Sequence, residues 1–181
     1  MARRYIYVIM DVLGAAVTTE RATAEDFEQA VRAEGPRLFG LSLAVLGRPE
    51  LAEETVQETF ERAWRVWDTL DDPDKRRAWL ARVCVNRSLD VRRYLARRLR
   101  MAFVREGDHP VAPTDLGLDL GRAMTHLSRR QRAIIGLHYA CGYSLDECAG
   151  MIGCQPGTAR SHLARALATL RIQLGDTRDG S

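Results

Sequence analysis

Three sets of side chains in this sequence have the types and spacing to do chemistry. Arg82, Asn86, Arg93 and Arg97, with Arg100 beyond them, would fall within about 60° of one another on a helix. A ridge of guanidinium groups tracks phosphates, because each planar fork donates two hydrogen bonds at once. An Asn set among them can read a base edge bidentately. The opposing acid that would make this an ordinary paired surface is sparse, with only Asp90 nearby. The second set is Thr158, Ser161, His162 and Arg165, with Arg160 at its edge. These gather at the start of an amphipathic segment, where short polar groups can meet base edges and Arg160 a phosphate. The third set has the opposite sign. Glu54, Gln57, Glu58 and Glu61, preceded by Glu50, share one face. Such a face is most often simply solvated, but one so uniform in sign also suits docking to a basic partner.

Catalytic and metal chemistry find little support. His109, His126, His138 and His162 stand without an HExxH, a nucleophile elbow or a phosphate-cradling glycine loop. Cys84, Cys141, Cys148 and Cys154 form no CxxC pair and match no common zinc spacing. His138 and Cys141 give only a weak metal hint. The cysteines are expected to be small buried apolar residues. The reading is of a protein with no catalytic residue, no metal, no cofactor and no small-molecule substrate.

The elements that must position the three sets are helices, since the apolar residues recur with a 3.6-residue period and strand signals are few. Gly47 and Pro49 mark one helix end and the next start. From Pro49 to Trp67, Ala52, Val56, Phe60, Ala63, Trp64 and Trp67 share a face opposite the carboxylates. After the acidic stretch Asp68 to Asp74, a long helix over about 75–100 carries the Arg ridge, with Trp79, Leu80, Val83, Cys84, Val91, Tyr94 and Leu95 on its packed side. Further on, Leu116, Leu120, Ala123, Met124 and Leu127 make an apolar stripe. Ser128 with Gln131, and Ser144 with Glu147, have capping-box spacing. Gly153 is placed to stop the helix that Ser144 opens, and Pro156 to start the next. A short capped helix, a glycine turn and a longer amphipathic helix with Ala159, Leu163, Ala166, Leu167, Leu170 and Leu174 inward make a helix-turn-helix. In that motif the second helix enters the major groove.

The chain has 181 residues, 46% hydrophobic and 28% charged, enough to fold as one ordinary domain or two small ones. Net charge is only +3, but 26 of its 27 basic residues are Arg, Lys75 being the exception. The expected architecture is all-α: two small helical domains, over 23–100 and 116–174, joined by a flexible linker at 101–115 that contains Gly107, Pro110 and Pro113. Residues 175–181 read as a polar tail. Residues 1–22 form an extension of unassigned role, whose apolar run Tyr5 to Val17 is interrupted by Asp11 and is too short to span a bilayer. With no convincing secretion signal, a reducing cytoplasm is the expected compartment.

These residues resemble the extracytoplasmic-function (ECF) sigma factors, the smallest class of the sigma-70 family. The resemblance runs from about Phe27 to Leu174. It is carried by Ala52-Glu-Glu-Thr-Val-Gln-Glu-Thr-Phe60, Ala63-Trp64, Trp79-Leu80-Ala-Arg-Val-Cys-Val-Asn86 and Asp90 to Arg93 in the first half. In the second half it rests on Leu127-Ser-Arg-Arg-Gln-Arg132, Tyr143-Ser-Leu-Asp-Glu147, Pro156-Gly-Thr-Ala-Arg-Ser161 and Arg165-Ala166. It implies a sigma region 2 bundle and a sigma region 4 helix-turn-helix. It implies core RNA polymerase as partner, docked through Glu54, Gln57, Glu58 and Glu61. It implies promoter DNA, met at the minus-ten element by Arg82, Asn86, Arg93 and Arg97 and at the minus-thirty-five element by Thr158, Arg160, Ser161, His162 and Arg165. It also implies regulation by an anti-sigma factor. Glu54 departs from the family's usual Asp, His162 from Arg or Lys, and Ala159 from a larger aliphatic residue. The rival reading is a helix-turn-helix regulator that acts without core polymerase.

Overall fold

The computed structural model describes residues 18–70, 72–102 and 115–176, which form seven α-helices with short 3-10 and π turns between them and no strand. The apolar extension, most of the expected linker and the end of the tail lie outside the described residues.

Helix α1 (Thr18–Leu46) runs through Pro36. Phe27, Val31, Leu38, Leu41 and Val45 fall on one stripe and are all buried. Gly47, at φ 71°, turns the chain out of the helix, and Arg92 donates to the last carbonyls, of Val45 at 3.2 Å and Leu46 at 3.4 Å. A cation there also complements the negative end of the helix dipole. Pro49 opens α2 (Pro49–Trp64), which buries Ala52, Val56, Phe60 and Ala63. Its buried Thr59 hydroxyl is satisfied by the Thr55 carbonyl at 2.8 Å. Phe27 meets Trp67 edge-to-face at 4.8 Å between centroids. The Trp67 indole donates to Asp26, and Arg76 lies 4.0 Å over the indole ring while pairing with the same carboxylate at 2.9 Å. Asp72 then caps α3 (Pro73–Ala102), accepting from the amides of Asp74 and Lys75.

Helix α3 buries Leu80, Ala81, Cys84, Val85, Ser88 and Leu89 against α1 and α2. The Ser88 hydroxyl bonds Ser42 of α1 at 3.0 Å. Tyr94 corrects the expected packed side, being 61% exposed. Arg92 already sits at the end of α1, and Arg93, Ala96, Arg97 and Arg98 around the ring are exposed as well, so this side of the helix lies beyond the packed body.

The second half is α4 (Asp115–Thr125), α5 (Arg129–Ile135), a π turn (Gly136–Ala140), α6 (Leu145–Ile152) and α7 (Pro156–Asp176). Ala123 and Leu127 pack on Ala166 and Leu170. Leu120, expected within that stripe, is 47% exposed, because α4 packs mainly on α7 and the covered strip is narrow. Arg132 is buried and donates to the carbonyls of Leu127 and Thr125, which α4 leaves without helical partners.

The two halves share a core. Ile134, Leu137, Cys141, Cys148, Met151 and Ile152 join the same apolar cluster as Leu41, Phe60, Leu80 and Cys84. Each fully covered Leu or Ile is worth about 2 kcal/mol of burial, so the apolar contact holds the halves together and the few hydrogen bonds across it align them.

Candidate nucleic-acid interface

The helix-turn-helix is built as its local residues dictate. Ser144 accepts from the Glu147 amide at 3.3 Å, and Glu147 reaches back to the Ser144 amide at 2.8 Å. The two together complete the capping box that opens α6. The Ser144 hydroxyl, donating to the Glu147 carboxylate at 2.7 Å, and then the Ser144 amide hold that carboxyl below the usual carboxylate range. Gly153, at φ 66° and ψ 53°, ends α6 in the left-handed region that glycine adopts without strain. Pro156 is the first residue of α7. Thr158, Arg160, Ser161 and Arg165 are exposed on the leading turns of α7, while His162 is half-buried. The Ser161 hydroxyl donates back to Gly157 at 3.0 Å, which leaves its lone pairs facing outward as acceptors. Arg160 pairs with Asp146 of α6 at 2.8 Å, so this guanidinium also braces the two helices of the motif. Burial, then the cations Arg130 and Arg165, pull the His162 pKa below 6.5. His162 is therefore neutral at neutral pH and offers hydrogen bonds rather than charge. Arg130 was not among the expected contacts. Its signal was the Arg129-Arg130 pair inside the Ser128 capping box, whose far end comes up beside α7 only in the fold.

On α3, Arg82, Asn86, Arg93 and Arg97 are all exposed, and Arg93 pairs with Asp90 at 3.0 Å. The Arg100 side chain lies outside the described residues. The amide of Asn86 donates to the Met151 carbonyl of α6 at 3.3 Å. The carboxylate face of α2 divides. Glu54 and Glu61 are exposed, with Gln57 donating to Glu61 at 3.0 Å. Glu58 is gripped by both arms of Arg87, one at 2.8 Å, and so ties α2 to α3. The three surfaces thus sit on three different helices, α2, α3 and α7.

Among the described residues no group of three or more His, Cys, Asp or Glu could hold a metal ion. His138 engages the Tyr143 carbonyl through Nδ1 at 2.7 Å, and the Cys141 thiol donates to the Arg37 carbonyl. Cys84 and Cys148 are buried, and burial pushes both thiols up to about 12. Such thiols are unreactive packing groups, as expected, whereas Cys154 departs from the expectation in being only half-buried.

Two family models match the chain: Sigma-70 region 2 over residues 30–98 and Sigma-70, region 4 over residues 117–170. The chain is 32% identical over 152 residues to the ECF RNA polymerase sigma factor SigL of Mycobacterium tuberculosis, covering 78% of this chain and 86% of that protein. The chain belongs to the ECF sigma factors. It is also 29% identical over 156 residues to the RNA polymerase sigma-E factor of Streptomyces coelicolor, covering 82% of this chain and 86% of that one. Among solved structures it matches the sigma factor RpoE in complex with the anti-sigma factor NepR from Bartonella quintana. The TM-score is 0.72 and the identity 28%, over 83% of this chain and 98% of that one. It also matches CnrH in complex with the cytosolic domain of CnrY, with a TM-score of 0.59 and 26% identity, over 97% of this chain and 95% of that one.

As an alternative sigma factor the chain binds core RNA polymerase and directs it to promoters, a regulatory part in transcription. A regulator working apart from polymerase is not favoured. Within this sigma factor the region 2 match spans most of α1 and then α2 and α3, and the region 4 match spans most of α4 to α7. The helix-turn-helix is thus the α6–α7 pair of region 4. No described helix is long and apolar enough to cross a membrane.

Proposed function

We propose a division of labour among the three surfaces. Region 2, over 23–100, docks on polymerase through Glu54, Gln57, Glu58 and Glu61 of α2. It engages the minus-ten element through Arg82, Asn86, Arg93 and Arg97 of α3. Region 4, over 116–174, reads the minus-thirty-five duplex with Thr158, Arg160, Ser161, His162 and Arg165 of α7, while 101–115 links the two. Melting the minus-ten element unstacks bases at a cost of a few kcal/mol, which a pocket and polar contacts must return. An exposed Asn flanked by guanidinium groups is suited to that. The protein works in the cytoplasm beside polymerase, catalyses nothing itself, and is restrained by an anti-sigma factor. A solved relative, the sigma factor RpoE in complex with the anti-sigma factor NepR, supports the last point.

The observation that carries this reading is the exposure of Thr158, Ser161 and Arg165 on the leading turns of a helix whose partner is capped and stopped by Ser144 and Gly153. The test is run-off transcription on a sheared genomic library with the host's core polymerase. Promoter-dependent transcripts are expected with the chain present. Their absence, with both components folded, would remove the reading.

A further inference from the structure

The helix-turn-helix carries one charge of the wrong sign for a DNA reader. From Arg129 to Gly175 the sequence holds six arginines and only two carboxylates, Asp146 and Glu147. The Glu147 carboxylate is taken up by the Ser144 amide and hydroxyl. Ser144 and Glu147 between them complete the capping box, so the start of α6 makes no call on the Asp146 side chain. That side chain reaches instead to Arg160 of α7 at 2.8 Å, across 14 residues of chain. The Asp90–Arg93 pair on α3 is a different case, since residues three apart on one helix are neighbours by default. Asp146 and Arg160 meet only because α6 and α7 pack together.

A carboxylate beside a phosphate-binding guanidinium costs affinity for DNA. It repels the backbone and cancels part of the charge that attracts it. We propose that Asp146 is a specificity-determining residue: it withholds Arg160 from the phosphates of arbitrary duplex and yields it only when α7 is seated on matching base edges. This rests on the assignment of α7 to the minus-thirty-five duplex above.

The two kinds of complex use Arg160 differently. Binding to arbitrary DNA is almost wholly phosphate electrostatics with release of counterions. An arginine already paired with Asp146 adds little to it. On a matching site, Thr158, Ser161 and Arg165 meet base edges and bring the backbone up to Arg160. The planar fork of Arg160 has donors enough to keep Asp146 on one edge and take a phosphate on the other. The pair is 59% exposed at Arg160 and 64% at Asp146, so it is weak and exchanges readily once a phosphate is close. Specificity is a difference of affinities, and disfavouring the wrong site raises it as surely as favouring the right one.

Fluorescence anisotropy with the full-length chain tests this on two duplexes of equal length. One is a minus-thirty-five duplex from a promoter recovered by run-off transcription, and the other is its scrambled sequence. Asp146→Asn keeps the shape of the side chain and removes its charge. It should tighten binding to the scrambled duplex by roughly two- to fivefold, the worth of one exposed ion pair, and steepen its salt dependence by up to about one in the logarithmic slope. Affinity for the promoter duplex should change far less, so the ratio between the two falls. On an Arg160→Gln background Asp146→Asn should add nothing. An equal gain on both duplexes, no change, a loss of affinity, or a gain that persists without Arg160 would each overturn the proposal. Should Asp146→Asn lower the denaturant midpoint, Asp146→Ser is read in the same way with the same expected and contrary results. Arg165→Ala separates this proposal from the assignment beneath it. If Arg165→Ala weakens promoter binding but Asp146→Asn leaves the ratio unchanged, the role of Asp146 fails and the assignment of α7 stands. If Arg165→Ala leaves both affinities unchanged, that assignment fails and takes the role of Asp146 with it.

Discussion

At the scale of the residue, His162 is the informative oddity. Half-buried and beside Arg130 and Arg165, it is held neutral near neutral pH. Because its pKa is depressed in the folded chain, folding gains nothing from its proton, and stability falls as pH drops below 6.5. A DNA phosphate beside it reverses that preference. Affinity for a minus-thirty-five duplex should be flat around neutrality and rise only on acidification, and His162→Arg should remove the rise, as fluorescence anisotropy across a pH series would report. A wild-type affinity independent of pH would take His162 off the interface. Asn86 gives a second prediction. Asn86→Ala should reduce initiation on duplex promoters by about tenfold or more, from the 1–3 kcal/mol that a good base contact carries, while polymerase binding changes far less. Equal loss of both would make Asn86 a structural residue.

At the scale of the element, the local signals were legible because local chemistry produces them. A capping box needs only the residues within one turn, and both boxes stand where their Ser and Glu or Gln spacing put them. The Gly153 stop, the Pro156 start and the apolar arc of α7 were legible for the same reason. Tyr94 and Leu120 were misread because periodicity assigns a face but not the length of helix that finds a partner. The engagement of Glu58 by Arg87 was hidden too, since it joins positions 29 residues apart on two helices. Ser144→Ala should cost about 1 kcal/mol of stability and weaken minus-thirty-five binding in step, since α6 supports α7. Denaturant unfolding checks the first and anisotropy the second. Loss of affinity without loss of stability would assign the Ser144 hydroxyl to DNA.

At the scale of the whole molecule, composition, the Pro and Gly segment near 107–113 and the two families of motifs pointed to two helical units. The seam between them left no mark in the pattern, because it depends on backbone carbonyls, as where Asn86 meets Met151. The shared core makes a thermodynamic prediction. Ile134 belongs to region 4 yet lies fully buried in the cluster that includes region 2. Ile134→Ala should therefore cost about 2–5 kcal/mol and shift a single transition. Tryptophan fluorescence should follow that shift, although Trp64, Trp67 and Trp79 all lie in the first half. A tryptophan transition that stays in place would mean the halves unfold separately.

The central claim is that one chain, with polymerase, grips two promoter elements and holds one of them open. Permanganate and nuclease footprinting on a promoter recovered from the run-off library tests it most directly. The account predicts reactive thymines across the minus-ten element, with protection about two helical turns upstream, and only when both the chain and core polymerase are present. Protection by the chain alone on duplex that stays closed when polymerase is added would contradict it.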